Sequence, residues 1–271
     1  MSDAGATALP RFETILLSRQ GRQLTITLNR PESMNAVNLA MHDELAEVFP
    51  FAGADRHSDV IVLTGAGRAF SAGGDVDHIA RNAAQPELFD HEVRIARRIV
   101  QAVLDIDKPI VCRMNGHAVG LGATLVLLSD IIYGAEGAKL GDPHVAVGLV
   151  AGDGGAFLWP QRIGFTRAKE YLLTGELVSA QKAAEIGLIN HCVPAAELDA
   201  AVDACCQKLL KLSPHAVRGT KQVINLELKR LANLMMDAGI ALEALAQRTA
   251  EHRAIVAAMQ ANLGAKQKNR G

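Results

Sequence analysis

The sequence predicts an α/β core of stacked strand–turn–helix units followed by a helical C-terminal region, and three observations lead there. Short β-branched runs alternate with helix-patterned stretches, the arrangement of strands joined by helices. Three of the strand-type segments, Leu24–Asn29, Val60–Gly65 and Ile110–Gly116, each end in a Gly- or Asn-containing turn that leads toward a helix. Such a loose internal repeat fits a solenoid better than an open doubly wound sheet, because the turns can project from one edge and present unpaired N–H groups to a ligand. Beyond Gly164 the strand-type runs give way to helical patterns.

In chain order, strands are expected at Ile15–Ser18, Leu24–Leu28, Val60–Thr64, Ile110–Met114 and Asp130–Tyr133. Helices are expected between them over Asn38–Phe51, Glu87–Ile106 and Leu121–Leu128. The C-terminal helices follow at Thr166–Leu173, Ala180–Ile186, Ala195–Leu212, Pro214–Leu226 and from Leu228 to about Leu263. Ser213 before Pro214 reads as an N-cap with a first-turn proline. The last helix carries Leu231, Leu234, Met235, Ala238, Ile240, Ala241, Leu242 and Leu245, an apolar surface too broad for a small appendage to bury, and is expected to pack on another subunit. The chain thus divides into a flexible N-terminus at 1–11, a core at 12–200 and a helical region at 201–271, frayed after Leu263.

With 271 residues, 49% of them hydrophobic, the chain can bury a large core without staples. Lys and Arg number 28 against 29 Asp and Glu, so no global field favours nucleic acid or an anionic membrane, and the substrate must be recognised locally. Cys112, Cys192, Cys205 and Cys206 have neither CxxC spacing nor a His ligand pattern, which suggests neither zinc nor a disulfide framework and fits a reducing cytoplasm. Met1–Pro10 lacks the basic start and apolar run of a signal peptide, and no stretch approaches the roughly 20 apolar residues of a membrane span. Walker A, dinucleotide, His-Glu-x-x-His and EF-hand patterns are missing, so no cofactor or metal is expected.

Two segments carry chemistry. The first is Val62-Leu-Thr-Gly-Ala-Gly-Arg-Ala-Phe-Ser-Ala-Gly-Gly-Asp-Val76, a strand entering a Gly-rich loop that ends at Asp75, an N-cap for a following helix. Consecutive glycines let backbone amides approach a ligand, and the helix start adds partial positive charge; the alternative is a tight turn with no ligand. The second, Met114-Asn-Gly-His-Ala-Val-Gly-Leu-Gly-Ala-Thr124, repeats the strand, turn and helix start. Two such loops after adjacent strands can point amides at one oxygen, each donor contributing roughly 3–4 kcal/mol to a transition state.

Leu28-Asn-Arg-Pro-Glu-Ser-Met-Asn-Ala36, the Phe70–Val76 loop and the Asn115–Gly122 turn resemble, in order and spacing, the three signature segments of the crotonase (enoyl-CoA hydratase/isomerase) superfamily. The resemblance extends from about Phe12 to about Leu263. It implies a spiral of ββα units, a homotrimer or dimer of trimers, and an acyl-CoA substrate with coenzyme A as its only carrier group. It also implies an oxyanion hole from the backbone N–H groups of Gly74 and Leu121. Ser33, Met34, Ala36, Ala72, Asp75 and Val76 would line the CoA and acyl pocket, with Arg30 a phosphate contact.

The departures bear on mechanism. The two glutamates that hold water in the family's hydratases match Thr124 and His144 here, and a threonine hydroxyl is no base near neutral pH. The segment from Gly141 to Gly155 contains His144 and Asp153 nine residues apart, with Gly148 and Gly152 able to turn the chain back. Asp153 could then orient His144 as a general base or supply a proton itself; alternatively His144 is a pocket wall and Asp153 a loop cap. Asp142-Pro-His144, Gly152-Asp-Gly154, Trp159-Pro160 and Leu173-Thr-Gly175 resemble a crotonase branch that includes oxocamphor hydrolase, which cleaves a cyclic β-diketone with a His/Asp pair. Met41-His-Asp-Glu-Leu45 and Leu242-Glu-Ala-Leu245 also resemble it, making His42 and Glu243 secondary candidates beside Thr124. The expected protein is an enoyl-CoA hydratase/isomerase-like enzyme working through a stabilised enolate, with His144 and Asp153 replacing the glutamate pair. The alternatives are a β-diketone or 3-oxoacyl carbon–carbon hydrolase and a non-catalytic acyl-CoA-binding protein.

Overall fold

The structure, a computed structural model, describes residues 8–85, 87 and 89–268; most of the N-terminus expected to be flexible, and residues 269–271 of the tail, lie outside the described residues. The strands are β1 (Ile15–Gln20), β2 (Gln23–Leu28), β3 (Val60–Gly65), β4 (Ile110–Met114), β5 (Ala118–Val119), β6 (Ile131–Ala135), β7 (Lys139–Gly141), β8 (Val178–Ser179) and β9 (His191–Val193). The helices are α1 (Leu39–Ala54), α2 (Val76–Ala84), α3 (Phe89–Asp105), α4 (Leu121–Leu128), α5 (Gly155–Thr174), α6 (Ala180–Glu185), α7 (Leu198–Leu210), α8 (Pro214–Gln247) and α9 (Ala250–Lys268).

Six strands form the main sheet in the order β1-β2-β3-β4-β6-β9. The β1–β2 hairpin is antiparallel and every later pairing is parallel. Position in the sheet explains each strand's pattern: β1 alternates along an edge, whereas β3 is buried at every residue because elements cover both its faces. A second sheet, β5-β7-β8, is extended by parallel bridges between Val37 and Gly74 and between Ser71 and Ala118. Successive turns of the chain therefore add one segment to each layer before a helix returns it, which is the ββα spiral of the crotonase fold. The turns between the two layers collect along one side, where both Gly-rich loops lie.

Several expectations are corrected. β5, β7, β8 and β9 span only two or three residues, too few for a period to show. Helix α5 begins at Gly155 rather than Thr166 and carries a kink at Gly164, where φ is 76°. The expected break near residue 227 does not exist, since α8 runs unbroken for 34 residues, about 50 Å of helix. The chain turns instead at Arg248–Thr249, where the Thr249 hydroxyl accepts the His252 N–H at 3.1 Å and starts α9. Helix α9 then continues past Leu263 to Lys268. Leu231 and Ile240 of α8 are buried against their own chain, while Leu234, Leu242 and Leu245 remain exposed. No helix among the described residues is long and apolar enough to cross a membrane.

Candidate active site

Hydrogen bonds zip the two Gly-rich loops together. Phe70 and Ser71 donate their N–H groups to the His117 carbonyl at 3.0 Å each, and Val119 N–H returns to the Ser71 carbonyl at 3.0 Å. Asn35 and Asn115 act as staples from beneath, their Nδ2 groups both donating to the Ala69 carbonyl, at 2.9 and 3.1 Å. Gly73 takes φ +84°, and a Cβ there would meet the Val119 carbonyl oxygen at 2.8 Å, so the close approach of the loops requires glycine. The N–H of Leu121 is the first of α4, whose N-cap Gly120 has no side chain to satisfy it. Among the described hydrogen bonds, neither the Gly74 nor the Leu121 N–H reaches an acceptor in the chain, and both residues line one cavity of ≈ 290 Å³.

An acid–base cluster occupies the same cavity. His144 opens a short 3₁₀ turn, His144–Val147, and its Nδ1 is hydrogen-bonded to the buried carboxylate of Asp142. On the other side of the ring, Nε2 lies 3.9 Å from Asp153 Oδ2 and 3.8 Å from Glu243 Oε1. Glu243 arrives from α8 because Gly152 lets the loop press against that helix. A Cβ on Gly152 would sit 2.4 Å from the Gly239 carbonyl oxygen and 2.9 Å from Glu243 Oε2. Burial alone would push the His144 pKa down, but the surrounding carboxylates, Asp142 foremost, outweigh it and hold the imidazole well above its usual value. Burial lifts the Asp153 carboxyl to about 6 against the pull of His144. It lifts Glu243 to about 8, with Asp153 and Asp142 adding to the effect. Ligand atoms of Asp142, His144 and Asp153 lie within 4.8 Å of one another, close enough to converge on a cation; the imidazole, however, is already engaged with Asp142.

The 3₁₀ turn is clasped by α9. His252 is fully buried and its Nδ1 lies 2.6 Å from the Val147 carbonyl oxygen. Gly148, at φ +72°, packs so tightly beneath that a Cβ would stand 3.3 Å from the His252 Cα. Farther along α9, Met259 contributes to the cavity wall.

The enoyl-CoA hydratase/isomerase family model matches residues 19–263. The chain belongs to the enoyl-CoA hydratase/isomerase family. The 2,3-dehydroadipyl-CoA hydratase of Escherichia coli K12 is 32% identical over 232 residues, covering 84% of this chain and 87% of that protein. A solved enoyl-CoA hydratase/isomerase from Mycobacterium paratuberculosis superimposes with a TM-score of 0.87 at 43% identity, over 91% of this chain and 98% of the other. A β-diketone hydrolase from the cyanobacterium Anabaena sp. PCC 7120, solved with (S)-3-oxocyclohexyl acetic acid, superimposes at 0.81 with 28% identity, over 88% and 95% of the two chains.

Within this enoyl-CoA hydratase/isomerase family member the expected site residues separate by position. His144, Asp153, Glu243, His42, Gly74, Leu121, Ala72 and Val76 all border the cavity. Thr124 is not among the described cavity-lining residues: it is buried against Gly154, where a Cβ would meet its Cγ2 at 2.5 Å, and its hydroxyl has no hydrogen-bond partner among the described residues. Arg30 pairs with Asp75 at 3.0 Å and also donates to the Ala36 carbonyl, so both side chains tie the first signature segment to the start of α2. Ser33 caps back onto the Arg30 carbonyl at 3.2 Å, and Met34 is exposed with Sδ 3.2 Å from Arg68. None of Arg30, Ser33, Met34, Ala36 and Asp75 is among the described cavity-lining residues. Sequence reasoning missed Asp142 as the partner of His144, although the two-residue spacing was visible. It also missed the cavity residues His78, Asn82, Glu92 and Gln247, which no local pattern marks.

Proposed function

We propose that this enzyme acts on an acyl-CoA thioester whose carbonyl oxygen accepts the Gly74 and Leu121 N–H groups, with proton transfer handled by His144 and its three carboxyl neighbours. One observation carries the reading: an imidazole bracketed by Asp142 on one nitrogen and Asp153 and Glu243 on the other opens on the cavity that holds two unsatisfied N–H groups. The two donors favour charge developing on the carbonyl oxygen as an enolate forms. Burial raises both carboxyl groups, Glu243 further than Asp153, so Glu243 is the member that holds its proton to the higher pH and Asp153 the one that ionises first. One side of His144 thus offers both a carboxylate that can take a proton and a carboxyl that can give one. That pairing suits isomerisation or hydration by a route different from the two-glutamate hydratases, since Thr124 is out of reach.

A second reading is favoured by the likeness to the β-diketone hydrolase. There water would add to a ketone carbon as its proton passes to the His144–Asp153 side. The bond from that carbon to its neighbour would break, the attacked carbon becoming a carboxylic acid and the electron pair passing to the neighbour as an enolate whose oxygen accepts the two N–H groups; the cluster would then return a proton to the neighbouring carbon. The exposed Leu234, Leu242 and Leu245 row on α8 is the face proposed for a homotrimer. Turnover assays on enoyl-CoA, 3-oxoacyl-CoA and a free cyclic 1,3-diketone separate the readings. His144→Ala is expected to lower kcat at least about a hundredfold with KM little changed. Unchanged kinetics in that variant would remove His144 from the mechanism, and cleavage of the free diketone alone would replace the first reading by the second.

A further inference from the structure

The cavity has a second polar wall, away from the His144 cluster and built by three different helices. Glu92 of α3 accepts a hydrogen bond from Asn82 Nδ2 of α2 at 2.7 Å and pairs with His78 Nε2, also of α2, at 2.8 Å. His42 of α1 completes it. Only 7% exposed, it borders the cavity, and its Nδ1 has no hydrogen-bond partner among the described residues. Asn82 Oδ1 is likewise buried without a donor. Burial pushes the His42 pKa down to about 4, so the ring is neutral at physiological pH and offers one donor and one acceptor.

We infer that His42, Asn82, His78 and Glu92 form a recognition wall for an uncharged oxygen function, a hydroxyl or oxo group, on the acyl part of the substrate. The inference rests on the reading that the thioester carbonyl lies at Gly74 and Leu121, and it names the substrate class for that site. Three features carry it. A plain hydrocarbon would leave the polar atoms of His42 and Asn82 dry and unpaired, which folded interiors avoid. A carboxylate would be buried beside Glu92, whose partner His78 is already engaged, and no Lys or Arg is among the described residues lining the cavity to offset the second charge. The other described lining residues of α2 and α3, Val76, Ile79, Phe89, Val93 and Ala96, are apolar, so on these helices a polar group of the substrate finds its hydrogen bonds at this wall.

The test uses the full-length enzyme and CoA thioesters of matched chain length bearing an alkyl, hydroxy, oxo or carboxy group. The oxo or hydroxy thioester is expected to exceed the alkyl one at least about tenfold in kcat/KM, with the carboxy thioester last; the first two members show which oxygen function is preferred. His42→Phe and Asn82→Leu are expected to collapse the oxygen-to-alkyl ratio toward one, and His42→Gln to restore part of it, with melting temperatures showing that each variant is folded. The same ranking is read by calorimetry as Kd on His144→Ala. A ranking in binding without turnover of any thioester by the wild type sinks the catalytic proposal and supports the wall. Turnover with no ranking, or a ranking that His42→Phe and Asn82→Leu leave intact, overturns the wall.

Discussion

Gly155 sits at the first position of α5, directly beneath the Asp142 carboxylate. A Cβ built there would lie 1.9 Å from Asp142 Oδ2 and 3.0 Å from its Cγ, with Ala151 Cβ 3.3 Å away on the other flank. An ordinary carbon–oxygen contact needs more than an ångström beyond that, and Asp142 is only 2% exposed, so its carboxylate cannot swing into solvent. Gly155→Ala is therefore expected to displace Asp142 and break its hydrogen bond to His144 Nδ1. Overpacking of this kind costs about 1–3 kcal/mol of stability, and a lost hydrogen bond to a charged group is worth about 1.5–3 kcal/mol, a ten- to hundredfold loss if it is expressed at the transition state. The drop should fall on kcat with KM held. Gly154→Ala makes the control: its Cβ would strike Thr124 Cγ2 at 2.5 Å at a φ of +149°, destabilising the fold without touching Asp142. Steady-state kinetics and thermal melts on both variants decide the matter. A folded Gly155→Ala enzyme with wild-type kcat would refute the claim that Asp142 positions His144.

Gly74→Pro removes one oxyanion donor and is expected to cost about 10²–10³ in kcat relative to Gly74→Ala. The alanine keeps the N–H while adding a Cβ in the same crowded spot, 2.9 Å from Ile79 Cδ1; equal rates for the pair would take Gly74 out of the hole. Thr124→Val should leave kcat unchanged and raise stability by about 1 kcal/mol, because the buried hydroxyl it deletes has no partner among the described residues; a large fall in kcat would put Thr124 back in the chemistry. Glu243 is raised from 4.5 to about 8 and Asp153 from 3.8 to about 6, so the folded state holds protons that the unfolded chain has already released. Their contribution is fully present at acid pH and falls as pH climbs through those windows. Glu243→Gln should flatten the decline in melting temperature between pH 4.5 and 8, and a parallel curve would contradict the raised value. His42 acts with the opposite sign: lowered to about 4, its contribution is present above 6.5 and lost as pH falls toward 4.

What was legible in the sequence was local. The Asn35 and Asn115 turns, the Gly73–Gly74 and Gly120 loops and the strands feeding them are specified within a dozen residues, by side-chain staples and by backbone angles that glycine alone tolerates. The helix expected over Asn38–Phe51 begins one residue later, because Asn38 is the N-cap of α1 and its side chain accepts the Met41 N–H at 3.0 Å. The acid–base cluster was half legible. His144 and Asp153 share one glycine-rich stretch, but Glu243 joins them from a helix positioned by packing through Gly152 and Gly239, a contact without trace in either segment alone. The wall of His42, His78, Asn82 and Glu92 was less legible still, since it is assembled from three helices: the Met41–Leu45 resemblance marks His42 alone, and His78, Asn82 and Glu92 look like ordinary polar positions. The misplaced break in α8 shows the converse: a polar Glu227 interrupts the apolar pattern without interrupting the helix, because its exposed face needs no apolar residue.

The grip of His252 on the Val147 carbonyl bears on how a newly made chain becomes competent. When synthesis has reached Gln247, every titratable member of the cluster already exists, yet the turn carrying His144 still lacks its clasp and the cavity lacks Met259. Competence should arrive only when α9 seats against Gly148, so that a polypeptide made no further than α8 keeps its imidazole unaimed.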